Sequence, residues 1–452
     1  MKNINIMRKH FNLYFGVLLF GCCNVFFTAC KSDDSVPAGE KYDVSKPITV
    51  TNLMPDSGGI RTQFIIEGSN FGSDVSKIHV TFNGDRKAVI VGSNGTSIYG
   101  LVPKEPKGNN LVNVSVDKSD TIKAGTFAYT PKELVSTVAG KGGTVGAIDG
   151  TLANARFNCI GGIGILADNL LLVTESHSTN IRLISVDENA VTTLSTGIKG
   201  SEPSVLDDKS AAYVVDRSAV GKMPIYILRK SDLWTPKKVA NNVTFVGGEI
   251  LKGEIWTTCL DDTQKYLYFM SSVGEFGRVS LDNPTRGQML NNTLIPGGGK
   301  WVSLRYNKVD GNFYVSVQNR NQIYQIHPPV NRDSSSQSDW TGVVAYAGTS
   351  FSGGQDGPKD NATFYNIGGL DIDSRGDLYI VDSYSMIVRK LELSSGIVST
   401  IAGIYKPNSG ADIDGEPLES QFNWPYVISH DSEDNFFIGE RWGACIRKLA
   451  IE

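Results

Sequence analysis

Residues 356–364 read DGPKDNATF, an Asp-Gly pair with a Phe eight positions after the Asp, and the frame recurs as DGTLANARF at 149–157 and DGEPLESQF at 414–422. The agreement runs past the loop. Each Phe is followed at 25 residues by an arginine, giving Arg182, Arg389 and Arg447, each with Ile or Val before it. A third marker, VSTVAG at 135–140, VVAYAG at 343–348 and VSTIAG at 398–403, stands ahead of each Asp-Gly. Two independent intervals kept in three copies at a period of roughly 50 residues indicate a propeller or solenoid array.

Between the markers, GGLDID, LYIVD, VRKLEL and VSTIAG supply four short strands per unit, the content of a propeller blade. Weaker units, AAYVVDRSAVGKMPIYILRK, WTTCLDDTQKYLYFMSS and VSLRYNKVDGNFYVSVQNRNQIYQIHP, lack the Asp-Gly, and residues 135–452 divide into about six units. The sequence finishes on CIRKLAIE, the third strand of a unit, while VSTVAG precedes the first unit alone. It is expected to supply the missing outer strand and close the ring, removing an exposed edge. The arrangement resembles the NHL-repeat propellers. Within the markers, Gly permits a tight turn and Asp is expected to accept hydrogen bonds from that turn's own backbone. Phe157, Phe364 and Phe422 are expected to wedge between blades, and the three arginines to make ion pairs between blades.

Residues 47–130 alternate apolar and polar positions in short runs, among them TQFIIEG, KIHVTFNG and LVNVSV, separated by Gly, Asn, Asp and Pro. That pattern predicts a small antiparallel sandwich. PDSGG from Pro55, IEGSNFG at 66–72, VTFNG at 80–84 and VP at 102–103 resemble the IPT/TIG family of immunoglobulin-like domains, which implies a spacer or partner-contact module. The whole is therefore expected to be all-β, an immunoglobulin-like sandwich followed by a six-bladed propeller.

Ahead of both, Lys2, Arg8 and Lys9 precede the apolar run FNLYFGVLLFGCCNVFFTA, a signal-peptide pattern over residues 1–29. FTAC at 27–30 resembles a bacterial lipobox with Cys30 as the lipidated residue, and acyl chains on it would tether residues 30–46 to a membrane. KSDDS after Cys30 is similar to the acidic export signal of Bacteroidetes surface lipoproteins. It implies an outer-membrane protein facing the exterior, with an outer-membrane transporter as a partner. A net charge of -4 argues against nucleic acid, which needs a basic stripe. Cys159, Cys259 and Cys445 are widely spaced without a CxxC pair and read as buried free thiols.

No HExxH, GxSxG or Walker loop is present, and neither a cofactor nor a metal is expected. GIGILA at 162–167 fits a dinucleotide pattern but falls within a strand. DIDSRGD from Asp371 offers close carboxylates, but Arg375 stands where a calcium loop wants oxygen, so it reads as a hairpin turn. Aligning the units puts His177, Asn319, Tyr384 and Trp442 together just past the second strand. The same alignment puts Cys159, Trp301, Asn366 and Trp424 together just before the first. Strand one starts where strand two ends, so Trp301, Tyr384, Trp424, Trp442 and His177 are expected around one mouth of the channel. With Glu175, Asp382 and Glu440 nearby, they suit a glycan, whose C–H faces stack on rings while its hydroxyls bond acids. The leading expectation is non-catalytic glycan capture for an uptake system. A polysaccharide lyase or hydrolase using these acids or His177, and an envelope scaffold, are the alternatives.

Overall fold

The computed structural model describes residues 41–131, 133–218, 220–295 and 302–451, so Cys30 and Trp301 lie outside the described residues. Helical backbone among them is limited to short 3-10 turns. The first unit is a two-sheet sandwich. One sheet runs Thr49–Met54, Gln63–Ser69, Ser97–Leu101, Val89–Ser93, and the other Ser57–Gly58, Ile122–Tyr129, Gly108–Val116, Ile78–Phe82, Arg86–Lys87. Alternation sends Ile78, Val80 and Phe82 inward to meet Val112, Val114 and Val116. Phe82 sits edge-on between Phe64 at 6.1 Å and Phe127 at 5.9 Å.

Six four-stranded antiparallel blades follow. Their inner strands are Ile160–Ala167, Ser204–Val205, Ile255–Leu260, Val302–Tyr306, Ile367–Ile372 and Pro425–His430, packed in a ring around a central channel. The last blade takes its outer strand from Glu133–Gly140, which pairs antiparallel with Cys445–Ile451. Two blades carry a short fifth strand, Thr244–Phe245 and Gly357–Pro358. Between blades the core is continuous. Phe157 and Ile160 of the first blade pack with Tyr426, Val427 and Phe437 of the last, so this Phe is a wedge between neighbours.

The repeated intervals have one physical cause. Arg182, Arg389 and Arg447 are fully buried, and each guanidinium lies over the Phe 25 residues earlier, at 5.1, 4.9 and 5.4 Å from the ring centre. Each also pairs with the Asp of the Asp-Gly loop: Asp149 at 2.7 Å, Asp356 at 2.5 Å, Asp414 at 2.7 Å. That Asp does not serve its own turn, as the sequence reading expected. It accepts from the outer strand instead, from Thr193 and Thr400 through backbone N–H and hydroxyl, and from the Thr137 hydroxyl in the closing strand. Nor do the arginines bridge blades. Their partners are the loop Asp that enters the blade and the acid that ends the blade's second strand.

Candidate functional site

The face where inner strands begin and second strands end, here the upper face, gathers most of the aromatic residues that the sequence pointed to. Trp424, Cys159 and Asn366 each precede an inner strand, and all three backbones are left-handed, with φ of 57°, 61° and 53°. This shared geometry turns the chain sharply into the strand and leaves the Trp424 side chain on the face. Tyr384 packs edge-on to Trp424 at 4.6 Å and against Tyr365 at 5.2 Å. Arg441 N–H donates to the Trp424 carbonyl, and its neighbour Trp442 is half-exposed at 48%. Trp442 meets His177 edge-on at 5.6 Å and the Arg441 guanidinium at 5.4 Å. An aromatic arc thus runs Tyr365, Tyr384, Trp424, Trp442, His177 over the fifth, sixth and first blades. Asn319 begins no such group; it lies in the 3-10 turn Gln318–Arg320.

His177 is held by two partners, Arg441 Nη2 at 3.3 Å from Nε2 and Cys159 Sγ at 3.0 Å from Nδ1. Arginine only donates, so Nε2 accepts and Nδ1 carries the proton toward sulfur. Burial and the Arg441 charge both hold the imidazole below the ordinary histidine range. Nearer the axis, Arg217 lies 3.5 Å over the Trp256 ring, and Arg441 is 5.7 Å from the centre of Tyr426. These residues close the upper end of the channel. Between Trp256, Tyr426, Glu202 and Ser303 only about 10 Å³ remains, room for one water. The upper face is a platform, not a pocket.

The three carboxylates expected beside these rings are elsewhere. Glu175, Asp382 and Glu440 are fully buried and face their blade's arginine, at 2.8 Å to Arg182, 3.4 Å to Arg389 and 3.0 Å to Arg447. Their remaining oxygens are also engaged: Glu175 accepts from Asn180 and Ser178, and Asp382 from the Tyr365 backbone. Burial pushes the Asp382 carboxyl up to about 7. A ligand would have to break a buried ion pair to reach any of them, so they belong to the blade core. Glu440 also meets Cys445 Sγ at 3.1 Å and, with Asp412, forms the one Asp/Glu/Cys group among the described residues with metal-ligand spacing. Burial and the adjoining Asp412 drive the Glu440 carboxyl well above its usual range.

The opposite mouth holds a cavity that sequence reasoning missed. It is a half-open space of about 390 Å³ between the lower ends of all six inner strands. At its inner end Arg305 bridges Glu202 at 3.0 Å and Asp371 at 3.3 Å, and Asp371 in turn holds His430 Nδ1 at 2.7 Å. The Asp371 carboxylate draws the His430 imidazole above its ordinary range, against the opposing effect of burial. Arg305 and Glu202 come from units without the repeat markers, so no spacing announced them.

The IPT/TIG domain family model matches residues 48–130. No curated protein matches the chain. Among solved structures, a Bacteroides thetaiotaomicron protein of unknown function is 33% identical, with 91% of this chain and 100% of that one covered, at a TM-score of 0.73. An auxiliary nutrient binding protein from Bacteroides thetaiotaomicron is 22% identical over 91% of this chain and 100% of its own, at a TM-score of 0.59. A putative phosphatase from the same organism is 19% identical over 91% and 98%, at a TM-score of 0.57. The last two share the fold.

Proposed function

The chain belongs to the same family as the 33%-identical Bacteroides thetaiotaomicron protein of unknown function, and from that premise we propose that it is a non-catalytic surface lipoprotein of the outer membrane that captures a glycan for an uptake system. The observation that carries the reading is the aromatic arc Tyr384, Trp424, Trp442 and His177 on one flat face. Sugar rings stack on such rings at roughly 1 kcal/mol per contact, and an open platform admits a chain where a pocket would admit only an end.

Orientation supports the same reading. The closing strand enters at the lower face, where Glu133 pairs with Ile451, and the sandwich strand Ile122–Tyr129 finishes just before it. Lys104 of the sandwich donates to the Glu433 carbonyl at a lower-face turn of the last blade. The sandwich therefore approaches from the side away from the aromatic arc, as a tethered capture protein requires. A lyase or hydrolase reading would need an acid free to exchange protons with substrate. Glu175, Asp382 and Glu440 are closed by arginine, and both ring nitrogens of His177 are engaged, by Arg441 and Cys159.

Affinity electrophoresis against a polysaccharide panel tests the proposal. Retardation by at least one neutral polysaccharide is expected, without shortening of the chain. Trp442→Ala should weaken it roughly tenfold, the equivalent of about 1.4 kcal/mol, with little loss of thermal stability because the ring is half-exposed. Product release would favour the enzyme. No retardation by any polysaccharide would favour the scaffold, and full retention by Trp442→Ala would remove the arc from the site.

A further inference from the structure

The cavity at the lower mouth has an imbalance between its donors and its acceptors. Its carboxylates are engaged by protein. Asp371 accepts from Arg305 and twice from His430, through N–H and Nδ1, while Glu202 accepts from Arg305, Thr257 and Ser303. Asp207 is bound by Lys308 and Gln264, and Asp373 by Arg375 and the Asp377 backbone. The Asp431 carboxylate turns back to Asn435. Three nitrogen donors of the same cavity have no hydrogen bond among the described residues. Arg305 bonds through Nε and Nη1, leaving Nη2. His430 gives Nδ1–H to Asp371, and in its protonated form Nε2–H is left as a further donor. Lys209 lines the cavity without a hydrogen bond for Nζ among the described residues; the Asp207 charge, and after it that of Asp371, acts on it, and its own charge acts on His430.

Unspent nitrogen donors lining one half-open cavity suit an anionic acceptor, since charge-assisted bonds are the strong ones. Size and polarity narrow the class. A cavity of about 390 Å³ is at the small end of ligand pockets. It is a dead end, because Trp256 and Tyr426 close the channel above it. It therefore takes a monomer or a chain end. Ser429 and Thr258 spend their hydroxyls on the Ile163 carbonyl and Ser204, but each oxygen keeps a lone pair that can accept from a sugar hydroxyl, beside aliphatic walls that suit a polyol ring.

We propose that the lower cavity binds a hexuronic acid, its carboxylate held by Arg305 Nη2, His430 Nε2 and Lys209 Nζ. This site is separate from the aromatic arc and does not depend on it. Titration calorimetry of the full chain with D-glucuronate should give a saturable heat that D-glucose at equal concentration does not. Lys209 is an exposed residue without a protein hydrogen bond, so Lys209→Gln keeps the fold and should weaken glucuronate roughly tenfold, the loss of one charge-assisted contact. His430→Gln should weaken it similarly. Equal binding of glucose, unchanged affinity in Lys209→Gln, or no heat with glucuronate into the millimolar range would each overturn the proposal. Adding glucuronate to the affinity gel separates the two sites. Unchanged polysaccharide retardation is expected, and competition would put the acid on the aromatic arc and defeat the lower site, whereas a chain that binds glucuronate but no polysaccharide would sink only the capture reading.

Discussion

Trp424 keeps its backbone at a φ of 57°, a conformation that costs an L-residue about 1 kcal/mol and that glycine adopts freely. The strain and the ring can be separated by two substitutions. Trp424→Gly and Trp424→Ala both remove the stacking surface and should weaken glycan retention alike, but Ala must still hold the left-handed turn. Urea unfolding should find the Gly variant more stable than the Ala variant by about 1 kcal/mol. An Ala variant equal to or above Gly would mean that the turn is not strained there. The two histidines offer a second test at this scale, because they shift in opposite directions. His177 is lowered by burial and by Arg441, while Asp371 raises His430. In an NMR titration, His177 should protonate below the ordinary value of about 6.5 and His430 above it. The stability terms then have opposite signs. The His430 contribution is full below about pH 6.5 and is lost as pH rises through its raised value. The His177 contribution is present above about pH 6.5 and is lost as pH falls through its lowered value. His177→Asn and His430→Asn assign the two resonances, and a reversed order would refute the partners described for each ring.

At the scale of the element, each strong blade is organised by one buried arginine that joins four parts of the chain: the Asp-Gly loop, the following Phe, the acid ending strand two, and, through the loop Asp, a threonine of the outer strand. Removing the arginine leaves Glu175 or Glu440 buried without a counter-charge. Arg182→Leu should therefore cost about 3–5 kcal/mol. Asp149→Asn should cost about 1 kcal/mol, because the Asp149 side chain is 46% exposed and the amide still accepts. Denaturant midpoints that ranked Asp149→Asn as the worse would show that the loop, not the arginine, holds the blade. This unit also explains what could be read without coordinates. The intervals of eight and 25 were visible because the same three residues do the same job three times. The acids were misplaced because a Glu after LLVT reads the same whether it faces solvent or core. A signal was available: an acid stands seven residues before each of the three arginines, an antiparallel hairpin partner for each. The lower cavity had no such signal. Arg305, Lys209 and His430 come from different blades, each in a different local sequence, and only ring closure brings them together.

For the molecule as a whole, the closing strand is a copy of an outer strand moved to the other end of the propeller sequence. Val135 exchanges backbone hydrogen bonds with Gly415 as Val191 does with Gly150, and Thr137 reaches Asp414 as Thr193 reaches Asp149. Val135 and Ala139 are buried, so the strand brings core packing as well as a ladder. Replacing residues 133–140 with an equally long Gly-Ser segment keeps the connection to the sandwich while removing both. Burying one Val side chain alone is worth about 1.5–3 kcal/mol, so the full exchange should cost at least about 3 kcal/mol and lower the melting temperature clearly. The freed edge of Cys445–Ile451 would offer unpaired backbone groups to a second molecule, and sedimentation should show more association than the native chain does. Thr137→Val isolates the hydroxyl, and its effect should be about 1 kcal/mol without any change in association. A Gly-Ser variant that sedimented and melted with the native chain would mean that the ring holds without its clasp, through the inner strands alone.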